Sequence, residues 1–358
     1  MLKRFILFVI CVVILSGCSI RPQKEEITFS SWGSITEVQI LKQIISEFEE
    51  ENPSIKVKFL HIPQNYFQKI HLLFASNTPP DVIFMNNLYL PIYAQFLQDL
   101  SSEIDSSDFY KQALDGLSYQ GNVYAFPRDI SNLVFYVNTD LVKLQQDDWT
   151  LDNLLKISQS VSDKEKLGLS FEEDLYWVLP YLAYFGEKFD RDFDSELSKG
   201  VRFYLDLRDK HKVAPSKSQI GSSTLAQMFL DEKIAIFLSG RWLYPKISEK
   251  AKFNWAVINF PYGEGLQPCD ASGWSISKVS EHKNSALKFV KYLSSKNSAK
   301  YFAQTGLVVP ARVEASKLLD NEEHNEKVFL DVIKHSKNTF VTKDYRKLVD
   351  KFNKTNFN

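Results

Sequence analysis

The chain has 358 residues, 44% of them hydrophobic and 24% charged, with 43 lysines and arginines against 44 aspartates and glutamates. A chain of this length can form two domains whose cores need neither disulfides nor metals to hold them. The formal net charge of −1 gives no basic surface of the kind that draws proteins to nucleic acid.

Residues 1–17 read as an address rather than as structure. Lys3 and Arg4 precede an apolar run over residues 5–15. That run is shorter than the roughly 20 residues a membrane-spanning helix needs, and it fits a secretory signal peptide. It ends in Leu15-Ser16-Gly17-Cys18, which resembles the bacterial lipobox, where the leader is cut before the cysteine and the thiol takes a lipid. The expectation is a signal peptide over 1–17, acylation of Cys18 and a tether over 18–26. This would hold the protein in the cell envelope, on the periplasmic face or the outer surface of the cytoplasmic membrane. With Cys11 removed and Cys18 acylated, Cys269 stands alone and no internal disulfide is expected. The six histidines show no zinc-binding spacing, so neither a metal nor a cofactor is expected.

Residues 27–31 alternate and are rich in β-formers, which predicts a strand. Trp32-Gly33 reads as a turn, and Ser34 with Glu37 has the spacing of a capping box. Val38, Leu41, Ile45 and Phe48 recur at helical spacing until Asn52-Pro53, and a second strand follows over 56–60. This βαβ order implies a parallel pair. Further strands are predicted over 82–85, 134–137, 234–238, 256–258 and 274–277. Residues 150–233 read as mostly helical. Ala286, Phe289, Val290 and Leu293 form one helical stripe, and 326–352 reads as two amphipathic helices. The alternation of strands and helices predicts an α/β fold.

The order of landmarks from about Ile27 to Arg312 resembles the bacterial extracellular solute-binding proteins that include maltose-binding protein. The landmarks are Trp32-Gly33, Asn52-Pro53, Pro80-Asp81-Val82-Ile83 and Gly121 to Pro127 with Tyr124. They continue with Asn138-Thr139-Asp140-Leu141, Trp149-Thr150, Ser239-Gly240-Arg241-Trp242, Phe260-Pro261-Tyr262-Gly263 and Gly273-Trp274-Ser275-Ile276. Gly306, Pro310 and Arg312 close the series. The chain departs from the family pattern where Glu232-Lys233-Ile234-Ala235-Ile236 lacks a glycine and where Ser272-Gly273 replaces a glycine pair. The resemblance implies a two-lobed, type II periplasmic-binding-protein-like fold with a ligand cleft between the lobes. Lobe 1 would comprise 27–128 and 262–306, and lobe 2 134–257 and 310–358. Hinge crossings would lie at 129–133, 258–261 and 307–309. It also implies a monomer that delivers a sugar or oligosaccharide to the transmembrane subunits of an ABC importer.

Sugar rings have apolar C–H faces that an indole or phenol covers, and hydroxyls that suit carboxylates, amides and guanidinium groups. Trp242, after Gly240 at a strand end, is the leading candidate for the ligand site. Tyr176 matches a cleft aromatic of the family, with Trp177 beside it as the alternative. Trp32 ends the first strand, and Ser34 opens a helix whose free N–H groups attract polar ligands. Asn86 and Asn87 follow the third strand, where ligands of open α/β sheets bind. Asp129 falls at the first expected crossing, and Trp274 lies on the late strand. Arg241 and Arg312 complete the set. The competing roles are core packing for the tryptophans, capping for Ser34 and the asparagines, and ion pairing for the arginines. If Arg128, Arg241 and Arg312 converged, an anionic solute such as glycerol 3-phosphate or a glycerophosphodiester would become attractive. A secreted carbohydrate-active enzyme is disfavoured, because no GxSxG or metal triad occurs. The adjacent acids Glu172-Glu173 read as solvated, so no catalytic residue is expected.

Overall fold

The computed structural model describes residues 24–143, 149–319 and 323–357. The expected signal peptide, Cys18 and most of the tether lie outside them. The strands are β1 (Glu25–Ser31), β2 (Ile55–His61), β3 (Val82–Asn86), β4 (Ser118–Tyr119), β5 (Asn122–Val123), β6 (Phe126–Asn132), β7 (Val134–Asn138), β8 (Leu167–Leu169), β9 (Ile234–Ser239), β10 (Trp255–Asn259), β11 (Gln267–Ile276), β12 (Val309–Pro310) and β13 (Ser336–Asn338). They form a seven-stranded sheet in the order β12-β6-β11-β3-β1-β2, with β13 on β11, a four-stranded sheet in the order β10-β7-β9-β8, and the hairpin β4-β5.

The opening βαβ unit forms as its periodicities predict. β1 pairs parallel with β2 and with β3. The helix Ile35–Glu51 between β1 and β2 buries Ile40, Leu41, Ile44, Ile45 and Phe48. In β3, Val82, Ile83, Phe84 and Met85 are all buried, as expected for a strand covered on both faces. One core joins these strands to the helices Ile35–Glu51 and Lys283–Leu293 and to Phe302. In the small sheet, alternate residues of β7 enter different cores: Phe135 and Val137 face one, Val134 and Tyr136 the other.

Three expectations are corrected here. Asp129 is not in a crossing but in β6, paired with Ser272 on β11 and Pro310 on β12; only Leu133 separates β6 in one sheet from β7 in the other. The tail expected to belong wholly to the second lobe returns to the first sheet, because Ser336–Asn338 pairs parallel with Gln267 to Cys269. Trp274 is fully buried, with its ring 4.9 Å from that of Phe84 and 5.4 Å from that of Phe29. It packs under helices as core and lines no cleft.

Candidate functional site

Strand directions place the site. β7 begins next to the large sheet, one residue after β6. Val134 pairs with Ser239 at the end of β9 and with Asn259 at the end of β10. The ends of β9 and β10 therefore point back toward the large sheet. β8 runs parallel to β9, so the segment leading to the helix Leu175–Tyr184 emerges on that side as well. The carboxyl ends of parallel strands, where open α/β sheets bind ligands, thus meet between the two sheets.

Asn87 and Asp270 lie at this junction. The backbone N–H of Asn87 donates to the Ala271 carbonyl at 3.0 Å. The Ala271 N–H donates to Asn87 Oδ1 at 3.1 Å, and Asn87 Nδ2 donates to Asp270 Oδ1 at 2.8 Å. Asn87 thereby extends the β3–β11 ladder and fixes the carboxyl. The hydroxyls of Tyr176 and Thr339 flank the same group. Burial pushes the Asp270 carboxyl above its ordinary range, and hydrogen bonding offsets part of that shift. Tyr176 reaches it because its helix starts there. Asp174 caps the Tyr176 N–H at 2.9 Å and is itself held by Asn353 Nδ2 at 2.6 Å. Trp177 packs edge-on against Tyr176, 5.5 Å away, and is partly buried against the second-lobe core.

Around the end of β1, Ser34 takes the capping role, donating its N–H to Glu37 Oε2 at 2.8 Å and accepting from the Glu37 N–H at 3.3 Å. Gly33 sits at φ +141°, and a Cβ there would come within 3.0 Å of Glu37 Cβ, so the tight entry to this helix requires glycine. Glu37 Oε1 also accepts from Arg128 Nη1 at 3.3 Å. Arg128 lies 4.4 Å over the Phe84 ring and pairs with Asp129. Burial raises the Asp129 carboxyl while Arg128 beside it pulls the other way. Trp32 is half-buried, with its ring edge-on to Phe84 at 4.4 Å and to Tyr66 at 5.0 Å. Asn86 Oδ1 accepts from the Tyr89 N–H at 3.2 Å.

Beyond the end of β9, Trp242 is 37% exposed. Its indole folds back over Gly240, where a Cβ would fall 1.9 Å from the ring. The Gly240 carbonyl is held by the buried Tyr136 hydroxyl at 3.0 Å. Arg241 points inward and pairs with the buried Glu326. Arg312 is committed elsewhere: its Nη1 donates to Asp108 at 2.9 Å, its Nε to the Ser294 carbonyl, and its guanidinium covers the Phe109 ring. Arg128, Arg241 and Arg312 therefore each carry a carboxylate of their own and form no common cationic pocket.

The structure brings together Asn87 and Tyr176 on Asp270, and Ser34 and Asp129 around Glu37 and Arg128; Trp242 is exposed beyond the end of β9. The fold removes Trp274 to the core and Arg312 to an ion pair. Sequence reasoning missed Asp270, Glu37 and Glu326. The signal for Asp270 was an acid between Cys269 and Ala271, three residues before Gly273. Among the described residues, no group of His, Cys, Asp and Glu is placed to hold a metal ion. Burial pushes the Cys269 thiol up, which leaves it unreactive.

Two α/β sheets joined through β6 and β7 define a two-lobed protein of the periplasmic-binding-protein type. The chain belongs to the bacterial extracellular solute-binding protein family, whose profile matches residues 43–327. It is similar to a maltodextrin-binding protein of Bacillus subtilis, 26% identical over 319 residues, which cover 80% of this chain and 74% of that protein. Among solved structures, an ABC substrate-binding protein of Listeria monocytogenes in complex with cycloalternan superposes with a TM-score of 0.83 at 25% identity, over 93% of this chain and 92% of the other. A Mycobacterium tuberculosis protein in complex with glycerophosphocholine shares the fold, with a TM-score of 0.78 at 18% identity over 93% of each chain.

Proposed function

We propose that the chain captures a neutral sugar or oligosaccharide between its lobes and presents it to the transmembrane subunits of an ABC importer. Two observations support this reading. Trp242 is exposed just beyond the end of β9, and a polar strand-end cluster is centred on Asn87, Asp270 and Tyr176. An aromatic face together with carboxylate and amide groups suits a ring with apolar faces and hydroxyl edges. The names of relatives point the same way, one being a maltodextrin-binding protein and another a galactooligosaccharide-binding protein. The anionic alternative has a structural relative that binds glycerophosphocholine, but it needs a free cation, and each of the three arginines already has a carboxylate. We read the protein as a monomeric binder without catalytic activity, exported and anchored through a lipid on Cys18.

Isothermal titration with malto- and galacto-oligosaccharides and with glycerophosphocholine tests this. Stoichiometric binding of a neutral saccharide, recovered unchanged after prolonged incubation, is the expected result. Binding of glycerophosphocholine alone, or steady release of new product, overturns it.

A further inference from the structure

The pole of lobe 1 away from the cleft carries exposed apolar side chains that saccharide binding does not use. β1 runs from Glu25 to Ser31, with Trp32 and Ser34 beyond its carboxyl end. Glu25 therefore marks the opposite pole, about 20 Å away along the strand. β3 and β11 meet at the same pole. There the Ser277 N–H donates to the Asp81 carbonyl at 2.9 Å, and the Lys278 N–H donates to the Phe96 carbonyl at 2.8 Å. The Asp81 carboxylate accepts from the Ser280 hydroxyl at 2.5 Å. The Glu25 carboxylate accepts from the Ser285 hydroxyl at 2.5 Å and stands 2.8 Å from His282 Nδ1. These bonds gather Phe96 and Val279 around the start of β1. Phe96 is 43% exposed and Val279 68%. The Phe96 ring lies 5.2 Å from that of the half-buried Phe74.

Exposed apolar side chains grouped within a polar rim mark an interaction surface, and the chain itself says which surface meets this one. Glu25 comes seven positions after Cys18. A lipid on that cysteine keeps the pole within about 25 Å of the bilayer, even with the tether fully extended. The exposed charges beside Phe96 and Val279 are Lys24, Lys278 and Lys283 against Glu26, Asp99 and Glu281. They balance, so apolar contact rather than attraction to anionic headgroups carries the association.

Resting on the Cys18 anchor proposed above, we infer that Phe96 and Val279 form a foot that inserts among the lipid headgroups of the bilayer holding the anchor. With the foot inserted, Trp32 and Ser34 stand at the far end of β1, so the cleft faces away from the bilayer and collects ligand from solution. Delivery to transmembrane subunits then requires the foot to lift, and the tether sets how far the pole can travel.

The test places the acylated protein on phosphatidylcholine vesicles with and without brominated acyl chains. An environment-sensitive fluorophore is attached at Val279→Cys, or at Ile35→Cys, which is 80% exposed at the cleft end of β1. The Cys269 thiol is buried and stays unlabelled. The expected result is quenching by brominated lipid at position 279 and none at position 35. Adding Phe96→Asp should abolish the quenching at 279, and a roughly tenfold rise in salt should leave it unchanged. Should Phe96→Asp fail to fold, Val279→Asp with the label at Phe96→Cys takes its place. Vesicle-bound protein unquenched at position 279, or quenching that the aspartate leaves intact, overturns the foot while the anchor stands. Quenching at position 35 overturns the orientation. Protein whose Cys18 keeps an unmodified mass and which stays off the vesicles overturns the anchor and the foot together.

Discussion

Asn87 and Asp270 are joined by a hydrogen bond of 2.8 Å although 183 positions separate them in the chain. The contact ties the end of β3 to the beginning of β11 and leaves a buried carboxyl without a cation beside it. Its folded value lies above the ordinary 3.8, mainly through desolvation, so the folded protein holds this proton to higher pH than the unfolded chain does. Stability therefore falls as pH rises from the ordinary value through the folded one, and stays lowered above it. Asp270→Asn removes the charge and keeps an acceptor for Asn87. Its melting temperature is expected to exceed the parent's at neutral pH, with the gap closing below about pH 4. Saccharide affinity is expected to drop roughly tenfold, since a neutral acceptor holds a hydroxyl less well than a carboxylate. An equal melting-temperature gap at both pH values would show that titration of Asp270 is not the cause.

Gly240 sets the position of the Trp242 indole. Its backbone, at φ −96° and ψ 179°, is open to any residue, so Gly240→Ala should not strain the chain. The new Cβ would instead displace the ring, which lies 1.9 Å from it. Gly240→Ala is expected to change stability by less than about 1 kcal/mol while mimicking the affinity loss of Trp242→Ala. That loss should be on the order of 2–4 kcal/mol, or roughly 30- to 1000-fold in Kd. Titration of the two variants in parallel checks the match; a Gly240→Ala protein with parental affinity would remove Trp242 from the site.

Trp274 supplies the contrast. Fully buried among Phe29, Phe84 and Phe302, it should cost about 3–5 kcal/mol of stability when replaced by alanine. Affinity in the protein that remains folded should be unchanged. Chemical denaturation with titration below the transition reads both, and lost affinity without lost stability would return this residue to the cleft.

These two tryptophans also mark where the sequence stopped being legible. Each lies at or near a strand and each matched a family landmark, but alternation along a strand does not say which face helices will cover. The βαβ opening was readable because Ile27, Phe29, Leu41, Ile45 and Phe48 carry its periodicities locally. Part of β6 was taken for a crossing because the family resemblance placed one at 129–133, and the polar Asp129, Ser131 and Asn132 carry no local strand signal against it. They lie inside a sheet because β11 and β12 supply distant partners. The same distance hid Asp270 and Glu326, whose partners Asn87 and Arg241 are 183 and 85 positions away.

Anchoring rests on residues 15–18, which lie outside the described part of the chain. Cys18→Ser is expected to abolish labelling with a lipid precursor and to shift the protein from the membrane to the soluble fraction of its host, or to leave it unprocessed. A variant that still sediments with membranes and keeps the parent's N-terminal mass would refute acylation at this position.

Closure is the remaining step, and it turns on contacts made across the lobes. Leu133 alone links β6 to β7, so a few backbone angles there can carry a rotation between the sheets. In this structure Leu88, just beyond β3, packs on the core of the second lobe. The Arg346 guanidinium, on the C-terminal helix Tyr345–Phe357, stands 5.6 Å from the centroid of the Tyr89 ring, which is stacked on Phe67 at 3.6 Å. Such a contact exists only while the lobes are together, so removing it biases the free protein toward the open form. A ligand that favours the closed form must then supply the difference. An exposed cation–π contact is worth roughly 0.5–1 kcal/mol, so Arg346→Ala should raise Kd about two- to fivefold. Melting temperature should change little, because this arginine is partly exposed. Small-angle scattering is expected to show a larger radius of gyration for the ligand-free variant than for the ligand-free parent, with the two converging at saturating ligand. Identical radii without ligand, together with parental affinity, would show that Arg346 plays no part in holding the lobes together.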